Sequence, residues 1–210
     1  MKIHKLPGFF IDIEGIDGSG SSTQVDLVSE KLKKMGLNPL VTKEPTDGPV
    51  GKLVHQFLSE KSSPLSATSK ELLFAADRSL HLDQVIIPRL EKKEMVITDR
   101  YAWSSVAYGS VFLSKEWLFD LNRDLIFPDI TIFIDADPEI CLRRLAKEKG
   151  GFELYNSRKQ LYLVWDTYHW LASKYWWAPI LVVDGEREKE EICAEILNHI
   201  QKNPKFKKHP

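Results

Sequence analysis

The strongest constraint on this chain lies near its start, where Phe9-Phe10-Ile11-Asp12-Ile13 runs directly into Glu14-Gly15-Ile16-Asp17-Gly18-Ser19-Gly20-Ser21-Ser22-Thr23. An apolar run, a glycine-rich turn and a helix start in immediate succession predict a strand, a tight turn and an α-helix. Gly15, Gly18 and Gly20 open backbone conformations closed to other residues, so successive N–H groups can converge on one anion. The dipole of the helix starting near Ser22 adds to that attraction. We read Gly15, Ile16, Asp17, Gly18, Ser19, Gly20, Ser21, Ser22 and Thr23 as a phosphate-binding loop, with an ordinary strand-to-helix turn as the alternative. The usual loop is G-x-x-x-x-G-K-S/T, and here Ser21 holds the lysine position. A serine hydrogen-bonds but brings no charge to a transferring phosphoryl group, whereas Ser22 keeps the hydroxyl that reaches Mg²⁺.

Beyond this unit, short apolar runs alternate with longer helical patterns, which predicts an α/β fold. The runs are Phe9 to Ile13, Leu40 to Thr42, Met95 to Thr98, Ile130 to Ile134 and Ile180 to Val183. Several are apolar nearly throughout, as in parallel strands covered on both faces, so a five-stranded parallel sheet flanked by helices is expected. Gly36 should close the first helix, and Asp137-Pro138-Glu139 should open another that runs through Leu142 and Leu145. The pattern stops at Lys147-Glu148-Lys149-Gly150-Gly151, which reads as a short lid over residues 147–153.

No repeat or linker divides the chain, and 210 residues with 43% apolar content suit one core, so residues 1–202 are expected to form a single domain. Residues 203–210, Asn203 to Pro210, read as a frayed basic tail. A net charge of -1 without a basic stripe argues against nucleic acid as partner. No window approaches a membrane span, and the two cysteines, Cys141 and Cys193, sit in helix-like apolar patterns, so a soluble cytoplasmic protein with reduced thiols is expected.

Three further clusters carry chemistry. In Leu72-Leu73-Phe74-Ala75-Ala76-Asp77-Arg78, Phe74 and Arg78 are four apart and share a helix face, placing an aromatic plate beside a forked cation suited to a base. A core Phe next to a surface Arg is the alternative. Asp99-Arg100-Tyr101 ends the third strand, where parallel sheets bind ligands, so Asp99 is a candidate to orient magnesium waters and Arg100 to clamp phosphate; a ligand-free salt-bridged loop is the alternative. Ser104-Ser105-Val106-Ala107-Tyr108 follows as a helical turn.

Together with Glu44-Pro45 after the second strand, Pro128-Asp129 before the fourth and Asp135-Ala136-Asp137-Pro138 after it, these motifs make nearly the whole chain resemble thymidylate kinases. The resemblance implies a P-loop kinase fold, ATP as phosphoryl donor, Mg²⁺, a dTMP-like acceptor and a homodimer. It implies that Phe74 stacks on thymine, that Arg78 contacts its O4, that Ser105 meets the base edge and that Glu44 joins the acceptor site. Arg100 would hold the acceptor phosphate, Asp17 would receive the sugar 3′-hydroxyl or order nearby groups, and Tyr108 would crowd the 2′ position. Ser22 and Asp99 would serve the metal. The chain departs from the family at Ser21, at Gly18, and in a lid that carries Lys147 and Lys149 without arginine; Gly109 stands where many relatives carry a polar residue. Lys147, Lys149 and Arg144 or Arg143 are therefore candidates to replace the missing charge. Rival readings are a kinase for another pyrimidine nucleotide or nucleoside, and a nucleotide-binding regulator with weakened catalysis.

Overall fold

The structure, a computed structural model, describes residues 1–59, 64–147, 158–175 and 178–208. Among these, the five apolar runs become β1 (Phe9–Gly15), β2 (Leu40–Lys43), β3 (Met95–Asp99), β4 (Ile130–Asp135) and β5 (Ile180–Asp184). They pair in parallel in the order β2-β3-β1-β4-β5, so Ile11 of the central strand lies between Ile97 and Ile130. The crossover from β1 leaves toward β2 and that from β4 leaves toward β5 on the other side. Their carboxyl ends therefore flank a crevice of the kind that binds ligands in open α/β sheets.

The helices are α1 (Ser21–Lys34), α2 (Pro49–Ser59), α3 (Ala67–His81), α4 (Ile87–Glu91), α5 (Ala102–Gly109), α6 (Lys115–Leu121), α7 (Pro138–Lys147), α8 (Arg158–Lys174) and α9 (Lys189–Lys202). α1 ends as the sequence predicts. Gly36 takes φ 86°, its N–H reaches the Lys33 carbonyl, and Leu37 N–H reaches that of Leu32. The Asp137 carboxylate accepts from Glu139 N–H at 2.7 Å and caps α7. α3 and α4 are joined by a π-helical turn, Leu82–Ile86, and Pro88 is the second residue of α4. In an uninterrupted α-helix that proline would lack its N–H bond and press on the Gln84 carbonyl, and the wider turn relieves the conflict.

The two faces of the sheet differ in chemistry. Phe9, Ile11 and Ile13 point to an apolar layer formed with Val25, Val28 and Leu32 of α1 and Ile192, Ile196 and Ile200 of α9. The alternate residues of β1 are Phe10, Asp12 and Glu14, all fully buried, and they face the side of α3, α5 and α8. Full coverage holds for the inner strands, while β2 and β5, at the edges, are only partly buried because each has one neighbour.

Residues 203–207, expected as part of a frayed tail, are instead packed. Phe206 stands edge-on to Phe9 at 5.6 Å, and Lys205 Nζ reaches both oxygens of Asp129 at 2.7 Å. These contacts and the Asn203 amide, which donates to the Asp129 carbonyl at 3.3 Å, hold this segment, and none carries a periodicity that a polar, proline-broken sequence could display. Of the expected lid, Lys147 ends α7 and residues 148–153 lie outside the described residues.

Asp12 in β1 is an unusual choice for a central strand. Its Oδ2 accepts from Thr131 Oγ1 at 3.3 Å and its Oδ1 has no partner among the described residues. Burial, then the charges of Glu14 and Glu44, push its carboxyl well above the usual range. Because the folded pKa is raised, the destabilisation is absent below the unfolded pKa and develops as pH rises through the folded one. Asp12→Asn keeps an acceptor for Thr131 and removes the charge. It is expected to raise Tm by about 2–4 °C at pH 8, the shift of ~1 kcal/mol in a chain of this size, and by less at pH 5. Thermal unfolding followed at both pH values checks this.

Candidate active site

The turn after β1 is built by its glycines. Gly18 has φ 83° and Gly20 φ 97°, and a Cβ on Gly15 would strike the Ser19 side chain. Ser19 N–H closes the turn on the Ile16 carbonyl at 3.0 Å. Residues Ile16, Asp17, Gly18, Ser19, Gly20, Ser21, Ser22 and Thr23 all line one cavity of about 540 Å³, while Gly15 lies beneath it at the end of the strand. Arg144 of α7 clamps the turn from above, its guanidinium donating to the carbonyls of Gly18, Ser19 and Gly185 at 3.0–3.2 Å. Those bonds give Arg144 a part in holding the loop while it also lines the cavity; Lys147 and Arg143 lie exposed on α7 and Lys149 falls outside the described residues.

Ser22 Oγ, at the start of α1, donates to Asp99 Oδ2 at 2.5 Å, and Asp99 Oδ1 is buried without a partner among the described residues. A hydroxyl and a carboxylate with a spare buried oxygen suit a hard divalent cation, so the donor set fits Mg²⁺. Among the described residues no group of three or more His, Cys, Asp and Glu could hold a metal. Such an ion would therefore take its other ligands from phosphate and water.

A second cavity, of about 220 Å³, is lined by Asp17, Glu44, Pro45, Glu71, Phe74, Arg78, Arg100, Ser105 and Tyr108 among others. The structure thus brings every residue expected at the acceptor site to one wall-to-wall space. Arg100 joins the two cavities and adopts φ 71°, a conformation that costs a non-glycine residue about 1–3 kcal/mol and persists only when its surroundings enforce it. Those surroundings are evident. Its guanidinium donates to Asp17 Oδ1 at 2.6 Å and to the Gly15 carbonyl at 3.0 Å, and lies over the Tyr108 ring at 5.1 Å.

Arg78 is 2% exposed and lies in a polar core, donating from Nε to Glu44 Oε2 at 2.6 Å and from a terminal nitrogen to Asn122 Oδ1 at 2.8 Å. Glu44 Oε1 also meets His81 Nδ1 at 3.0 Å. Asp77 accepts from both N–H and Oγ1 of Thr46, tying the turn after β2 to α3. Phe74 lines the second cavity and its ring is perpendicular to that of Phe57, with centroids 5.8 Å apart.

Sequence reasoning missed three features. Tyr108 hydroxyl accepts from Asp17 N–H at 3.0 Å, so this ring supports the phosphate-binding turn as well as lining the second cavity. Arg187 and Lys189, after β5, line the first cavity, Arg187 paired with Glu195 and Asp184 and Lys189 with Glu190. Their position just past a parallel strand was the available signal. Glu71, three residues before Phe74, is buried on the second cavity, and burial raises its carboxyl to about 7 against the lowering effect of Arg78 and of a hydrogen bond from Ser105.

Comparison with known proteins agrees with this geometry. A family model described as thymidylate kinase matches residues 13–196. A protein named probable thymidylate kinase from Pyrobaculum aerophilum is 36% identical over 199 residues, covering 94% of this chain and 99% of its own. The thymidylate kinase of Halothermothrix orenii is 33% identical over 209 residues, covering 93% and 98%. One named probable thymidylate kinase from Pyrococcus abyssi reaches 40% over 161 residues, covering 74% and 78%. Since the family model runs from the central strand into α9, across both cavities, the chain belongs to the thymidylate kinase family.

Proposed function

We propose that this protein transfers the terminal phosphoryl group of ATP to dTMP, giving dTDP, with ATP in the cavity of the glycine turn and dTMP in the cavity of Phe74 and Arg78. The observation that carries the reading is the pair of cavities meeting at Arg100, since in-line transfer needs donor and acceptor phosphates at one point. The acceptor oxygen belongs to a phosphate that is already anionic. No general base is required, and the protein's task is positioning and charge neutralisation.

Each side chain then has a task that its surroundings support. Phe74 stacks on the base, while Arg78, held by Glu44 and Asn122, presents its remaining donor capacity to a carbonyl. Arg100 and Asp17 stand where the acceptor phosphate and sugar would meet the loop, and the Tyr108 ring fills the space a 2′-hydroxyl would need. Ser22 and Asp99 would hold Mg²⁺, which when bound screens the charge of the transferring phosphates. The loop N–H groups and the start of α1 orient the donor, and Arg187 and Lys189 line the same cavity. A cytoplasmic location suits that activity. A homodimer is what the family implies.

A second reading, a nucleotide-binding protein with little turnover, rests on Ser21 alone. A coupled assay of ADP release with dTMP, thymidine and other nucleoside monophosphates decides between them. Turnover with dTMP and none with thymidine is expected; ATP consumption that no nucleotide stimulates overturns the kinase reading.

Two variants sharpen it. Phe74→Ala is expected to raise the KM for dTMP about 10-fold or more, since base stacking contributes ~1–3 kcal/mol, with the KM for ATP unchanged. Ser21→Lys is expected to raise kcat by about 10²-fold, the usual effect of one fixed donor on developing charge, without altering acceptor choice. Unchanged kcat in Ser21→Lys means that the cations already round the donor cavity supply that charge.

A further inference from the structure

Glu71 stands on α3 with Phe74 and Arg78 three and seven residues further on, so the three share one helix face and line the acceptor cavity together. It is 3% exposed, and its Oε2 has no hydrogen-bond partner among the described residues. A buried carboxyl oxygen left without a donor is costly, and such an atom on a ligand cavity points to a donor brought by the ligand. The place of the carboxyl depends on Gly109 of α5. A Cβ there would come within 3.0 Å of Glu71 Cδ and 2.8 Å of Leu118, so a side chain at position 109 would crowd the carboxyl.

The cavity has two polar ends. Arg100 and Asp17 mark the end toward the phosphate-binding turn, and Glu71, Arg78 and Ser105 mark the other. With the acceptor phosphate at the first end, the base reaches the second, stacked on Phe74. A pyrimidine with a 4-carbonyl presents an acceptor at O4 and a donor at N3–H on the same edge. Arg78, a donor only, suits O4; a matching acceptor must serve N3–H.

We propose that Glu71 is a specificity-determining residue of the acceptor site, its carboxyl accepting the N3–H of the pyrimidine in space that Gly109 leaves open. This rests on the reading of that cavity as the dTMP site. Either protonation state offers an oxygen lone pair to N3–H. Burial raises the carboxyl, and the charge of Arg78 and a hydrogen bond from Ser105 draw it back, leaving Oε2 as the oxygen without a donor among the described residues. Cytosine would turn its amino group toward Arg78, donor against donor, and its unprotonated N3 toward Glu71, a contact that disfavours it while the carboxyl is ionised.

The test is binding, measured by titration calorimetry, of dTMP and of its N3-methyl analogue, which keeps the ring and both carbonyls but has no hydrogen on N3 to donate. The full-length chain is expected to bind dTMP about 10-fold or more tighter than the analogue, within the range for a hydrogen bond to a buried acceptor. Glu71→Ala should bring that ratio below about 2-fold, and Glu71→Gln, which keeps a carbonyl oxygen, should preserve much of it. Should the alanine variant fail to fold, Glu71→Asp withdraws the carboxyl by one methylene and should lower the ratio likewise. A ratio near one in the native chain, or a native ratio retained in Glu71→Ala or Glu71→Asp, overturns the proposal. If dTMP does not bind the native chain at all, the acceptor reading itself falls and this proposal with it. Binding of dTMP without discrimination against the analogue removes only the role of Glu71.

Discussion

Glu14 is the junction on which the site depends. It is the last side chain of β1 before the glycine turn, it is fully buried, and it accepts from four donors: Tyr101 N–H at 2.9 Å, Ser104 N–H at 3.1 Å, Ser104 Oγ at 2.5 Å and Tyr168 hydroxyl at 2.8 Å. The two backbone donors lie at the start of α5, where a helix leaves N–H groups unsatisfied, so the carboxylate serves as a cap supplied by a different strand. Burial pushes Glu14 up, and the bonds from Ser104, the charge of Arg100 and the bonds from Tyr168 and Tyr101 draw it back. One carboxyl thereby joins β1, the turn after β3, α5 and α8. The strained backbone of Arg100 lies between the parts it holds.

A second buried network fixes one wall of the smaller cavity. Glu44, Arg78, His81 and Asn122 come from the end of β2, from α3 and from the end of α6, and their bonds of 2.6–3.0 Å close on one another. Losing one partner of such a pair leaves a buried charge uncompensated, at a cost of about 3–5 kcal/mol. Arg78 is therefore at once a wall of the cavity and a structural member, and a loss of affinity on its removal would mix the two roles. Phe74 and Glu71, which project from the same helix, separate them better.

Much of the fold could be read from residue order alone. The five strands lie within about two residues of the apolar runs, which is the ordinary uncertainty of element ends. The caps at Gly36 and Asp137 also stand where local chemistry demands. Reading failed where stability comes from partners distant in the chain. Lys205 finds Asp129 and Phe206 finds Phe9 only once β1, β4 and α9 are stacked, so nothing within residues 203–207 announces their order. Asp12 breaks the apolar pattern of a strand buried on both faces, and the sequence offers no compensating signal.

The same division runs through the site. Sequence by itself determined the α/β alternation, the phosphate-binding turn with Ser21 in place of lysine, and the family motifs around Phe74, Asp99 and Tyr108, because each is local: spacing along one helix, glycine freedom in one turn, residue type at one strand end. Tertiary structure alone decided that Arg144 clamps the carbonyls of the turn, that Tyr108 holds Asp17 N–H, and that Arg187 and Lys189 line the same cavity as the turn. It alone set the Glu71 carboxyl over Gly109, a residue 38 positions away on another helix. Hydrogen bonds and packing contacts act over a few ångströms in space whatever the separation in sequence. Residues that meet only when helices cross leave no periodicity or motif behind them.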